Sequence, residues 1–195
     1  MSSSGENASA VSKLFPRLLD ITDPAMRASV ARVWKSVCDD GDWQRVSAQP
    51  WSTKFGEGII TRNVEHVNQV VECALALASF AETILAIPVN RNILISAGLL
   101  LDADKLIVST DKKDAHKTLV PHAFMSAAKA LEEELGLEVV HAILAHSKSS
   151  NIPPRTIEAL ILHYSDYITA DLRLRHAGVD HVFAAEAPKF AESRR

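Results

Sequence analysis

The strongest constraint on the fold lies between Ala97 and Lys105, where Ala-Gly-Leu-Leu-Leu-Asp-Ala-Asp-Lys runs an apolar helical stretch directly into two carboxylates and a lysine. At helical spacing Asp102 falls in register with Ile95 and Leu99, two turns and one turn before it, and so points inward. A carboxylate buried without a partner is very unfavourable. A chain carrying this stretch must therefore bring cationic or metal-binding groups to the end of that helix. Lys105 offers one partner three residues on, although such a pair ordinarily sits at the surface.

The other partners have to come from helices, because the rest of the chain reads as helical. Asp23-Pro24 is an N-cap followed by proline at the first helical position, opening a helix to about Asp40 with Val30, Val33, Trp34 and Val37 on one face. A loop through Gly41, Pro50, Gly56 and Gly58 follows and carries Trp43 and Trp51. Thr61 caps a helix to about Phe80, Asn90 caps the helix that ends at Asp102, and Pro121 opens another that Gly136 closes. A short helix spans Glu138 to Ser147 and a long one runs from Arg155 to about Ala177, with Gly178 as its stop; Ser109 to Lys117 reads as a charged, solvated loop. With no alternating strand pattern, the expected fold is all-α, a compact multi-helix bundle.

Of the 195 residues 47% are hydrophobic and 23% charged, which suits a single sizeable core. The expected organisation is a partly disordered N-terminal segment over 1–22, Ser-rich and polar to Ala10, a helical domain over 23–180 and an irregular tail over 181–195. A formal charge of -3 leaves no broad basic surface and argues against nucleic acid as a partner. The two cysteines, Cys38 and Cys73, lack the spacing of a zinc or redox site, and no stretch has the length of a transmembrane helix. The expectation is a cytoplasmic protein that meets a small-molecule substrate and no membrane, with a homo-oligomer compatible.

Three polar residues repeat the inward placement of Asp102. His66 shares a helical row with Val70, Cys73 and Leu77; His146 lies on the apolar side set by Val139, Ala142 and Ile143; Asp166 is in line with Ala159 and Leu162. His122 sits in the first turn of its helix, where periodicity leaves its orientation open. His141, His163 and Asp171 lie on other faces. A lone histidine among apolar neighbours is more often a satisfied core residue than a ligand. Inward polar groups from four helices are another matter, because they must satisfy one another or hold a cation. Imidazole and carboxylate together suit zinc, manganese, iron or nickel.

That arrangement resembles the HD-domain superfamily of metal-dependent phosphohydrolases. The family order is a histidine, a His-Asp pair at a helix end, in some members two further histidines for a second metal, and finally an aspartate. The matching residues are His66 in Thr-Arg-Asn-Val-Glu-His-Val, Asp102 in Leu-Leu-Leu-Asp-Ala-Asp-Lys, His122, His146, and Asp166 in His-Tyr-Ser-Asp-Tyr, over about Thr61 to Asp171. The resemblance implies these five as metal ligands. One departure stands out: Leu101 occupies the place of the histidine of the His-Asp pair. It leaves the first site His66, Asp102 and Asp166, while the second, His122, His146 and bridging Asp102, is intact. A divalent transition metal is therefore expected, with occupancy lowered by Leu101, and di-iron oxygen chemistry is disfavoured.

Three functions fit this pattern, led by a metal-assisted hydrolase of a small phosphate ester or nucleotide-like substrate. Asp102 and His146 would sit at its centre, Lys105 would offset substrate charge, and Trp51 and Arg62 would contact substrate. The alternative is a metal-independent lyase, hydratase or isomerase using the same pocket, favoured by Leu101, with Asp104 as an additional base. A non-catalytic protein binding a small molecule or a protein is third. For Lys105 a simple ion pair with Asp102 is as good an account, and Trp51 more often packs its loop than meets a ligand.

Overall fold

The computed structural model describes residues 4–38, 42–52, 61–108 and 120–183. Its helices are α1 (Ser4–Leu14), α2 (Pro24–Val37), α3 (Trp43–Ala48), α4 (Asn63–Thr83), α5 (Arg91–Leu100), α6 (Asp104–Val108), α7 (Phe124–Glu132), α8 (Leu137–Ala145) and α9 (Ile157–His176). No strand occurs among the described residues, and the fold is all-α, as the sequence leads one to expect.

The apolar run determines the architecture. From Leu94 to Leu100 every residue of α5 is buried, as a helix apolar on all sides must be. Helices α2, α4, α8 and α9 pack around it. At Gly98 an added Cβ would lie 2.9 Å from Val71 Cγ2, so glycine lets α4 approach closely. On the other side, Trp34 of α2 donates its indole N–H to the Leu99 carbonyl at 3.1 Å. The end of α5, and with it Asp102, is thus held in the interior.

Capping follows the expected chemistry at several starts. Asp23 accepts from the amides of Ala25 and Met26 ahead of Pro24; Asn90 accepts from Ile93; Thr156 accepts from Ala159. Helix α4 begins later than expected, with Arg62 rather than Thr61 as its cap residue. Thr61 instead donates its hydroxyl to Glu65 at 2.7 Å.

Three local features add to or correct the expectations. First, within the N-terminal segment α1 and a 3-10 turn over Pro16–Asp20 carry Val11, Phe15, Leu18 and Ile21 into the core. Phe15 stacks on Trp34 with ring centroids 4.4 Å apart. A polar composition to Ala10 concealed the helical spacing of that apolar set. Second, the loop after α2 contains α3, which Asp42 caps by accepting from the Arg45 amide. Third, Pro121 does not start a helix; α7 begins at Phe124, because Ala123 has a left-handed backbone with φ +71°. The expected charged loop Ser109 to Lys117, the glycines Gly56 and Gly58, and the tail beyond Phe183 lie outside the described residues.

Candidate metal centre

Four chain segments meet at the end of α5. Asp102 lies in the turn between α5 and α6 and is 1% exposed. Its position is fixed from behind by Asn63, at the start of α4, whose side-chain amide donates to the Asp102 carbonyl at 3.2 Å. Asn63 is itself buried and stands one helical turn before His66. That i,i+3 spacing is the signal by which the sequence could have revealed it.

The two oxygens of Asp102 face different partners. Oδ2 accepts from Lys105 Nζ at 2.6 Å and lies 3.7 Å from His66 Nε2. Oδ1 lies 3.0 Å from His122 Nε2. Burial alone would raise the Asp102 carboxyl, but the Lys105 ammonium and the His122 and His66 rings outweigh it and hold it well below the usual carboxylate range. Asp102 is therefore an anion shared by two half-sites.

The first half-site is His66 on α4 with Asp166 on α9. Their side chains meet directly, Nε2 to Oδ1 at 2.9 Å. Burial raises the Asp166 carboxyl and the bond from His66 lowers it; the net shift is downward, so the carboxylate is ionised and the ring donates. The Nδ1 of His66 is buried with no hydrogen-bond partner among the described residues. Trp51 covers this ring, centroid to centroid 4.5 Å, and Lys105 Nζ stands 5.4 Å from the Trp51 centroid. A short two-residue bridge pins Trp51 there: its amide donates to the Thr61 carbonyl at 2.9 Å, and the Asn63 amide donates to Gln49 at 2.7 Å. Leu101 beside Asp102 is fully buried and brings no donor atom.

The second half-site is His122, in the turn before α7, with His146, the residue that ends α8. Asp102, His122 and His146 each offer one ligand atom, and these atoms lie within 4.8 Å of one another. His146 donates Nδ1–H to the Ile143 carbonyl at 2.6 Å, which leaves its Nε2 lone pair available. Burial lowers the His146 pKa and keeps the ring neutral. The His122 ring lies between two carboxylates, with Nδ1 3.0 Å from Asp104 Oδ2 as well. Burial pulls its pKa down, yet Asp104 and Asp102 together raise it to about 10.

This donor set fits a divalent cation. Two imidazoles and a carboxylate are suitable ligands for zinc and its neighbours, and three protein ligands leave positions open for substrate or water. His122 would exchange its Nε2 proton for the ion and retain the hydrogen bond from Nδ1 to Asp104. Across Asp102, His66 already shares its Nε2 proton with Asp166, and Lys105 holds the facing oxygen.

The remaining candidates divide. Asp104, 2% exposed, reaches the centre through His122. Trp51, 9% exposed, covers His66 from the loop side. Arg62 turns away: its guanidinium donates to the Ala48 carbonyl at 2.6 Å and borders an open hollow with Trp43, Gln44 and Ser47. His141 accepts from the Arg155 amide, and His163 donates to the Ala145 carbonyl, so both serve the packing of helix ends. Ser126 of α7, which the periodicity placed nowhere, accepts from the Asp104 amide at 2.8 Å.

Residues 63–171, over half of the chain, match the HD domain, and the protein belongs to that family. It is also similar to a dihydroneopterin 2',3'-cyclic phosphate phosphodiesterase from Methanocaldococcus jannaschii, with 28% identity over 135 residues. The match covers 66% of this chain and 52% of the relative, so the chain spans about half the length of that protein. No solved structure matches the chain. No helix among the described residues is long and apolar enough to cross a membrane.

Proposed function

We propose that the protein is a metal-assisted phosphoesterase acting on a small phosphate ester or nucleotide-like substrate, with cyclic phosphates the first to test. The observation that carries this reading is the convergence of Asp102, His122 and His146 on one point with the His146 Nε2 lone pair unengaged. A divalent ion there would supply Lewis-acid polarisation of a phosphoryl oxygen and a nucleophilic water at neutral pH. The chain's own residues do the rest. Asp102 balances the positive charge, and Asp104 and Ile143 orient the two imidazoles. Lys105, part-exposed above Asp102, can turn to an incoming phosphate. His66, by donating its Nε2 proton to Asp166, holds that carboxylate in place beside the centre.

This is a one-ion reading of a two-site architecture. At the first half-site Lys105 takes the electrostatic place of an ion: its ammonium sits 2.6 Å from Asp102 Oδ2, and Leu101 withholds a ligand. The same pair favours the second reading, a metal-independent lyase, hydratase or isomerase, in which Lys105 and the His66–Asp166 pair would carry the proton transfers.

The deciding experiment is metal analysis of protein purified without chelator, followed by assays on 2',3'-cyclic nucleotides and small phosphomonoesters with manganese, iron or zinc. The expected result is about one equivalent of bound metal and hydrolysis that a chelator abolishes. Less than about a tenth of an equivalent, with turnover that survives chelator, would establish the metal-independent enzyme instead. Full occupancy with no turnover would leave a binding protein.

A further inference from the structure

We propose that Asp104 is a positioning residue for the metal centre: its carboxylate anchors the His122 ring by Nδ1 and, through the Ala123 amide, fixes the turn that carries that ring. The consequence for metal affinity rests on the one-ion reading above; the positioning itself does not.

His122 needs such an anchor. It lies on the short turn before α7 rather than in a helix, its side chain is 30% exposed, and its neighbour Ala123 has φ +71°. Alanine rarely adopts that left-handed conformation unless something holds it there. Ala123 also stands at the cap position of α7 and has no side-chain acceptor of its own. Asp104 supplies both missing interactions with one oxygen. Its Oδ2 accepts from the Ala123 amide at 2.7 Å and from His122 Nδ1 at 3.0 Å. The Asp104 amide in turn donates to Ser126 Oγ at 2.8 Å, so α6 and the start of α7 are joined by three polar contacts within a buried patch.

The geometry separates orientation from ligation. With Nδ1–H given to Asp104, the other ring nitrogen faces Asp102 Oδ1 at 3.0 Å, and the ring stands edge-on to His146 with centroids 5.2 Å apart. A carboxylate behind a ligating imidazole sets both its tautomer and its direction. Without Asp104 the turn loses its cap and His122, partly exposed, can rotate into solvent.

Three variants separate these roles. Asp104→Ala removes the anchor and the cap together. Adding Ala123→Gly supplies a residue that tolerates positive φ, and restores the turn without restoring the anchor. Asp104→Asn keeps an amide oxygen that can accept both bonds. Calorimetric titration with zinc or manganese should give a dissociation constant weakened about 10- to 100-fold in Asp104→Ala and in Asp104→Ala/Ala123→Gly, with Asp104→Asn within about fivefold of the parent. The double variant should nevertheless recover most of the thermal stability lost in the single one.

Nuclear Overhauser contacts between the His122 and His146 rings, measured in metal-free protein, should be present in the parent and in Asp104→Asn and absent from the double variant. Recovery of metal affinity in the double variant, or persistence of those ring contacts, would reduce Asp104 to a helix cap and overturn the proposal. If the parent takes up no metal, the one-ion reading fails and the ring contacts alone decide the role of Asp104.

Discussion

In the half of the centre built by α4 and α9, Asp102 presents Oδ2 to a lysine and to a histidine that already donates to Asp166. In the half built by the His122 turn and the end of α8, the same carboxylate presents Oδ1 to a ring whose far nitrogen is anchored, beside a second ring with an available lone pair. The donor atoms on the two sides are alike. Their second partners differ, and that decides which side can take a cation. On the first side Asp102 Oδ2 has an ammonium and Asp166 Oδ1 a proton to satisfy it; on the second, two carboxylates crowd one imidazole, and replacing its proton by a divalent ion relieves an excess of negative charge.

The most disruptive break in this arrangement is Asp102→Asn, because it removes the charge both halves use. The amide is nearly isosteric but leaves Lys105 and His122 without their shared counter-ion. Chemical denaturation of the metal-free variant should show a loss of about 3 kcal/mol, as for other buried pairs deprived of one partner, together with no measurable metal uptake. A variant that keeps its stability would mean that Asp102 is not the charge balancing the two cations.

Next in size is the contrast between His146→Ala and His66→Ala. On a one-ion centre the first should weaken metal binding by at least about 100-fold, close to 3 kcal/mol, while the second should stay within a few-fold of the parent. Activity should fall in both, since His66 holds Asp166 in place beside the centre. Equal losses of metal affinity in titration calorimetry would show that both halves ligate.

How far the sequence discloses this contrast depends on where the information lies. The inward placement of His66, Asp102, His146 and Asp166 was legible from periodicity, since each sits in a regular helix or directly at its end, where spacing determines the face. His122 was not legible that way, because its direction is set by a turn with a left-handed Ala123 and by Asp104, residues related only in three dimensions. The same holds for Trp51, whose place over His66 depends on a two-residue bridge between a loop and the start of α4. The all-α bundle was legible, yet α1 was missed because the polar residues of its first half masked the spacing of Val11, Phe15 and Leu18. Arg62, expected to contact substrate, stands one residue before a helix starts, and its side chain faces α3 instead.

Leu101→His tests whether the closed half can be opened. The side chain is fully buried next to Asp102, so an imidazole there adds a donor at a cost of about 1–3 kcal/mol in the metal-free protein. With the extra ligand the bound metal should rise from about one to about two equivalents, and the thermal shift on adding metal should grow. A stoichiometry that stays at one in the folded variant would mean that Lys105, rather than the missing histidine, keeps the ion out, and Leu101→His/Lys105→Met should then fill the site.

A last break is a pH dependence confined to the open half. In the metal-free protein His122 is raised to about 10, from an ordinary value near 6.5, by Asp104 and Asp102 acting against burial. A histidine whose folded pKa exceeds its unfolded one contributes stability that is fully present below the unfolded value and is lost as pH rises through the folded value. The stability difference between the parent and His122→Gln should therefore be largest below about pH 6.5 and shrink steadily towards pH 10. Taking the difference removes the titration of groups common to both proteins. Metal reverses the trend: the ion competes with the Nε2 proton, so its apparent affinity should increase as pH rises through the neutral range, with one proton released for each ion bound at His122. A parent–variant gap that is flat from pH 6 to 10, with metal affinity equally flat, would show that His122 is held as a neutral ring, and the excess negative charge that distinguishes the open half from the closed one would have to be assigned elsewhere.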